Sequence, residues 1–311
     1  MSTRRKFLQQ TSIAAAAAFL GQSAFASSLS RTSTVSPLEG AGIDKLGIQL
    51  FTLRDVLNKD VKAVIPKLAT IGYNNVETYY GYPGAYTTKG FWGLDAKEFK
   101  ALLRDNGMSS PSGHYNVTEF LTEGGNEEML KNHIETAASV GQHYFVIPAV
   151  PTPVRQDGTA EDYKKLAVKF NRAAELCKTS GLKLAYHNHN FEFKPLGDTD
   201  GYTILLKETD PALVSFELDL FWAINAGKDP LILFNENKGR FKMWHVKDMD
   251  KADKNVYTEV GSGSINFKPI FAEAKKAGLA HIFIEQDVIK IDPYDSVTQS
   301  IAYVKRQLLR Q

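Results

Sequence analysis

The sequence predicts a single-domain (β/α)8 barrel, the TIM-barrel architecture. Three observations carry this reading. Residues 43–311 are about the length of one such barrel. Five times, a helix-like run ends in glycine and an apolar strand begins within a few residues; these glycines are Gly72, Gly107, Gly141, Gly181 and Gly278. Helix, left-handed glycine cap and apolar strand in repeated order are the pattern of a parallel sheet built from alternating βα units. Finally, the polar residues gather at the C-terminal ends of the strand-like runs, which is where barrels of this kind carry their chemistry.

The elements follow in order. Eight strands are expected, at Leu46–Thr52, Asn75–Tyr79, Met108–His114, Tyr144–Ala149, Lys183–His189, Val214–Leu220, Met243–Lys247 and His281–Glu285. Between them, apolar residues at helical spacing predict helices. Lys59–Ile71 carries Val61, Val64, Ile65 and Leu68 on one face, and Asp95–Asn106 carries Phe99, Leu102 and Leu103. Ala160–Ser180 carries Leu166, Phe170, Ala173, Ala174 and Cys177, and Phe267–Ala277 and Pro293–Leu309 complete the ring. The segments after strands six and seven are shorter and less regular. The stretch from Tyr79 to Trp92 is rich in tyrosine and glycine and is long enough to act as a lid.

The start of the chain reads as a processing segment. Thr3-Arg4-Arg5-Lys6-Phe7-Leu8-Gln9 looks like a twin-arginine export signal, Ile13 to Leu20 is a short apolar run, and Ala24-Phe25-Ala26 is an A-x-A cleavage site. Residues 1–26 are therefore expected to be removed, with 27–42 a flexible Ser/Thr-rich lead-in, and the mature chain to be exported to the periplasm. Of the 37 basic residues three lie in that segment, against 35 acidic residues that all follow it, so the formal charge falls from +2 to −1. That balance argues against a nucleic-acid surface, and the apolar run is too short to span a membrane. The reading allows a homo-oligomer. The single cysteine, Cys177, leaves no internal disulfide and reads as a core thiol.

Four runs carry the chemistry: LAYHNHNFEF (184–193), VSFELDLFW (214–222), MWHVKD (243–248) and HIFIEQD (281–287). Strand alternation puts His187 and His189 on the face of Ala185, Glu217 and Asp219 on the face of Ser215, His245 with Lys247, and Glu285 and Asp287 with Phe283. Each strand so offers an inward pair with at least one imidazole or carboxylate, and these groups together are a donor set suited to a divalent metal such as Mn, Zn or Co. No glycine-rich phosphate loop and no Ser-His-Asp arrangement offers a competing chemistry.

ELDLFWAINAG, HVKD, the Gly-Ser-Gly turn at 261–263 and IEQD resemble the xylose-isomerase-like barrels of sugar isomerases and epimerases. The resemblance implies a divalent ion held by Glu, Asp, His and Glu, one from each of strands five to eight. Asp219, His245 and Glu285 match the last three, whereas the fifth-strand position falls on His187. The fourth ligand must then be His187, His189 or Glu192. It further implies catalysis by proton abstraction next to a carbonyl, with Glu285, His187 and His189 as the acid–base groups. Gln49, Glu77, His114, Glu192, Glu217, Trp222, Lys247 and Asp287 are the expected substrate contacts. Glu77 reads equally well as a barrel-mouth ion pair, and Lys247 as the partner of Glu217 or Asp219. The resemblance implies a small-molecule sugar as partner, and isomerisation or epimerisation as the expected reaction. The loss of the fifth-strand glutamate also suits β-elimination or hydration at a 3-keto-glycoside, and a non-catalytic periplasmic sugar binder is the reading from another class. A barrel endonuclease is disfavoured by the charge and by the export signal.

Overall fold

The computed structural model describes residues 45–82 and 90–309. The signal and lead-in expected before residue 43, and residues 83–89 of the proposed lid, lie outside the described residues. Eight parallel strands close into one barrel. They are β1 (Leu46–Gln49), β2 (Asn75–Tyr80), β3 (Ser109–Tyr115), β4 (Tyr144–Ile147), β5 (Lys183–His187), β6 (Val214–Asp219), β7 (Phe241–Val246) and β8 (His281–Ile284). Each expected strand is present, and β8 pairs with β1 to complete the ring.

The principal helices are α1 (Val61–Ile71), α2 (Ala96–Asp105), α3 (Glu128–Val140), α4 (Ala160–Thr179), α5 (Gly201–Glu208), α6 (Pro230–Glu236), α7 (Phe267–Ala272) and α8 (Pro293–Tyr303). Their starts follow from local hydrogen-bonding chemistry. Asp60 caps α1, and Asp95 with Glu98 and Thr159 with Asp162 form capping boxes on α2 and α4. At Gly72, Gly141 and Gly278, φ is +105°, +91° and +83°, so the glycines end their helices in the left-handed region and turn the chain into the next strand. The helix expected over Phe267–Ala277 breaks at Glu273, and the one expected to Leu309 turns into a π-helical segment at Val304–Leu308.

Strand alternation sorts the side chains as the period of two requires. Outward residues such as Tyr186, Phe216, Leu218 and Trp244 pack against the helices in the main core. Inward residues Tyr144, Val146, Ala185, Met243 and Phe283 form a separate apolar plug inside the barrel, each 5% exposed or less. Gly47 on β1 makes room for that plug, because a Cβ there would run into the Phe283 ring. The next inward residue is polar on β1, β5, β7 and β8 (Gln49, His187, His245 and Glu285), and on β4 it is Pro148. The barrel is thus a closed apolar floor with a chemical site built on top of it.

Candidate active site

Register places the polar layer. Gln49 on β1 lies opposite Glu77 on β2, which lies opposite Ser112 on β3. His187 on β5 lies opposite Glu217 on β6, and Asp219 opposite His245 on β7. Eight strands tilted around one axis converge these side chains.

Two overlapping donor groups result, each with its ligand atoms within 4.8 Å of one another: Asp219, His245 and Glu285 toward the mouth, and His114, His187, Glu217 and His245, all buried. In the first, His245 Nδ1 lies 2.8 Å from Glu285 Oε2 and 4.0 Å from Asp219 Oδ2. His187 Nε2 also reaches within 4.0 Å of Asp219 Oδ2. The Trp222 amide donates to Asp219 Oδ1, while Asp219 Oδ2 is buried without a hydrogen bond. Lys247 Nζ is 3.1 Å from that oxygen but poorly aligned for a hydrogen bond to it. An unsatisfied buried carboxylate oxygen facing two imidazoles and a second carboxylate fits a divalent cation. Asp219, His245, Glu285 and His187 are the residues that would hold one.

The second group lies deeper. Glu217 Oε2 sits 2.7 Å from His114 Nε2, 3.2 Å from His187 Nδ1 and 3.2 Å from His245 Nε2. Glu77 accepts from Gln49 Nε2 at 2.9 Å and from Ser112 Oγ at 2.6 Å, and lies 2.6 Å from His245 Nε2. Gln49, Glu77 and Glu217 are 0% exposed and lie beneath the cavity rather than along it. None of the three lines the cavity: Glu77 and Glu217 lie against imidazoles, and Gln49 donates to Glu77.

Electrostatics divides the site. Burial works against the charges of Lys247 and Glu285. Asp219, Asp287 and Glu285 nevertheless hold the ammonium well above its ordinary value, and Lys247 and His245 hold Glu285 well below its own. Burial also opposes charge on His114, yet Glu77 and Glu217 lift it to about 9. Burial lowers His187 well below 6.5 and, with Lys247, takes His189 to about 3, so both rings are neutral. Asp219 is raised to about 6 by burial, against the pull of Lys247 and His245.

Among the described residues, a cavity of about 280 Å³ opens above this layer, at the small end of the range for small-molecule sites. Glu285, Asp287 and Lys247 line it on one side and His114, His187 and His189 on another. Phe51, Tyr79, Tyr82 and Arg155 also line it; Tyr79 and Tyr82 belong to the tyrosine-rich stretch singled out in the sequence, whereas sequence reasoning missed Phe51 and Arg155. Tyr79 lies edge-on to Phe51 with ring centroids 5.3 Å apart. Arg155 sits on the short helix Thr152–Asp157 just after β4, at the barrel's C-terminal face; that position was the only available signal for it. Trp222 is not among the lining residues but stands behind them, 5.7 Å from Lys247 Nζ and 5.8 Å from the His189 ring.

Glu192 departs most from expectation. Its backbone turns in a short 3-10 segment, Phe191–Phe193, and its carboxylate folds back to accept from Tyr186 Oη at 2.6 Å and from the His189 amide. It anchors the loop that presents His189 and does not reach the donor groups. Burial pushes its carboxyl up to about 7. A raised folded-state value stabilises the fold below the unfolded value near 4.5, and that stabilisation is lost as pH rises through 7. Glu192→Gln keeps an acceptor for both donors and removes the titration. Between pH 5 and pH 8 the wild type should lose up to about 3 kcal/mol of unfolding free energy that the variant retains; equal pH slopes in chemical denaturation would refute this. The other motif carboxylate, Asp248, accepts from the amides of Met249, Gly261, Gly263 and Ile265, so in HVKD it ties down the Gly-Ser-Gly turn.

Fold and site together define a (β/α)8 barrel with a buried His/Glu/Asp group that could hold a metal ion. The chain belongs to the xylose isomerase-like TIM barrel family, whose model matches residues 65–306. It is similar to the inosose dehydratase of Clostridium tetani, at 25% identity over 276 residues, covering 78% of this chain and 88% of that protein. It is also similar to a sugar phosphate isomerase/epimerase from Parabacteroides distasonis, with 27% identity, a TM-score of 0.74, and coverage of 86% of this chain and 96% of that one. The IOLI protein, whose crystal structure has a bound zinc atom, shares the fold at 16% identity and a TM-score of 0.65, covering 84% of this chain and 97% of that one. No helix among the described residues is long and apolar enough to cross a membrane.

Proposed function

We propose that the chain removes the proton next to a carbonyl of a sugar or keto-sugar, with one divalent ion bound, and completes the reaction as a β-elimination. The observation that carries this is the asymmetry of the cavity. Its carboxylates, Glu285 and Asp287, stand on one side with Lys247, and the fifth strand supplies the imidazoles of His187 and His189 where relatives carry a glutamate. Epimerisation in this family draws on two carboxylates, one on each face of the carbon. Elimination needs one base and a place for the leaving group. Similarity to inosose dehydratases supports the same choice.

The bound ion would polarise the substrate carbonyl and so acidify the neighbouring C–H. Glu285 accepts that proton. The C–H electron pair becomes the new carbon–carbon double bond as the β carbon–oxygen bond breaks, and Glu285 returns the proton to the departing oxygen. Lys247, 2.7 Å from Glu285, keeps the carboxylate ionised before the step. His189 faces the substrate as a neutral hydrogen-bonding group, held by its ring contact with Phe191. Phe51, Tyr79 and Tyr82 supply an apolar wall for a sugar face. The twin-arginine-like start supports export of the folded chain to the periplasm.

A second reading, isomerisation or epimerisation through the same proton abstraction, is favoured by the similarity to the Parabacteroides distasonis protein. Proton NMR in D2O on a panel of keto-sugars with a β-oxygen substituent separates the two. Elimination predicts an α,β-unsaturated ketone and release of the β-substituent. Deuterium at the α-carbon with an epimer or isomer, and no unsaturation, would replace it with the second reading.

A further inference from the structure

We infer that Glu77 is a positioning residue that aims His245: it takes the proton on Nε2 and thereby turns the Nδ1 lone pair toward Asp219 and Glu285. The inference rests on the metal reading proposed above and goes beyond it, since it assigns a role to a carboxylate outside the cavity.

Geometry fixes the assignment. Glu77 is 0% exposed and therefore has no path to substrate. A carboxylate has about four acceptor sites. Those of Glu77 meet Gln49 Nε2 at 2.9 Å, Ser112 Oγ at 2.6 Å, His245 Nε2 at 2.6 Å and His114 Nε2 at 3.2 Å. Gln49 is itself locked, because its Oε1 accepts the Phe51 amide. The carboxylate is thus gripped from β1 and β3 and has one orientation. Both ring nitrogens face carboxylates, Nε2 at 2.6 Å from Glu77 and Nδ1 at 2.8 Å from Glu285, so a cation held by Asp219 and Glu285 would take the place of the Nδ1 proton and leave Nε2 donating to Glu77. Nδ1 is the nitrogen 2.8 Å from Glu285 Oε2 and 4.0 Å from Asp219 Oδ2. His114 restrains the ring as well, lying parallel to it within 5° at 5.1 Å.

The competing reading is that the deeper group, His114, His187, Glu217 and His245, is a second ion site. The position of Glu77 argues against it. That site needs His245 Nε2 as a ligand, and Nε2 is already bonded to Glu77. Carboxylates behind ligating histidines fix the tautomer and raise ligand basicity, and their loss commonly lowers metal affinity about 10- to 100-fold.

The test uses the full mature chain with Zn(II) as the probe. Long-range 1H–15N spectra of the zinc-loaded wild type should show His245 coordinated through Nδ1 and protonated at Nε2. Stripped Glu77→Gln should keep the wild-type far-UV spectrum and bind Zn(II) about 10- to 100-fold more weakly in chelator competition. Coordination of His245 through Nε2 would overturn the inference, as would two ions per chain with Nε2 among the ligands, or Glu77→Gln affinity within twofold of wild type. If Glu77→Gln fails to fold, the wild-type spectrum alone decides. A wild type that takes up no zinc, manganese or cobalt removes the metal reading itself, and this inference with it.

Discussion

Glu285→Gln should lower kcat by about 10²- to 10⁴-fold, the usual worth of a positioned acid–base group. The substitution keeps the shape of the side chain and removes both its charge and its ability to carry a proton. Glu285 lines the cavity, and its Oε2 lies 2.7 Å from Lys247 Nζ and 2.8 Å from His245 Nδ1. The loss should therefore appear in kcat more than in KM, because the substrate keeps its aromatic wall and its other polar contacts. The same variant decides against a non-catalytic sugar binder. If sugar binding persists and the wild type has no turnover to lose, the barrel is a binding protein.

Lys247→Met should destabilise the metal-stripped chain by about 3–5 kcal/mol, the cost of breaking a buried charge network from one side. The ammonium is 1% exposed and stands within 3.1 Å of Asp219, Glu285 and Asp287. Without it, two buried carboxylates and a partly buried third face one another. Two conditions should recover stability. Acidification protonates Asp219, whose carboxyl burial already lifts to about 6 and which would rise further without Lys247. A raised group stabilises below its unfolded value and loses that contribution as pH rises, so the deficit should shrink toward pH 5 and below. Saturating divalent metal should shrink it too, by supplying the missing positive charge. A deficit that responds to neither would mean that Lys247 acts through packing and not through charge.

The barrel was legible because its grammar is local. Glycines at positive φ, such as Gly72 and Gly141, end helices by their own backbone freedom, and apolar strands follow at once. The inward faces of the strands were legible because the period of two is strict: from Phe283 the alternation runs through Glu285 to Asp287, and from Met243 through His245 to Lys247. Depth was not legible. Glu217 and Asp219 share a face, yet strand tilt and stagger put Glu217 among three imidazoles and Asp219 beside Lys247, and neither lines the cavity. The same stagger hides Gln49 and Glu77. Glu192 escaped because a 3-10 turn after β5 sends it back to Tyr186, and no periodic pattern marks that turn. Phe51 and Arg155 escaped for the complementary reason: they sit on segments after strands, where position in space depends on the loop and not on alternation.

The departure at the fifth strand also gains a physical account. His187 Nε2 is 4.0 Å from Asp219 Oδ2, and Nδ1 is 3.2 Å from Glu217. An imidazole there offers a neutral donor in place of a charged one, so a divalent ion bound to Asp219, Glu285, His245 and His187 would keep no negative excess in its ligand set. A more electron-poor ion polarises a carbonyl more strongly. Replacing a carboxylate by an imidazole thus trades a second base for Lewis acidity, the exchange that elimination favours.

The most direct test is α-proton exchange in D2O measured on the same preparation before and after chelation, with metal content determined alongside. The account predicts about one divalent ion per chain at saturation, exchange or elimination on at least one keto-sugar, loss of both on stripping, and recovery on adding back Mn, Zn or Co. Undiminished exchange in the metal-free chain, or a chain that binds neither metal nor exchangeable substrate, would contradict it.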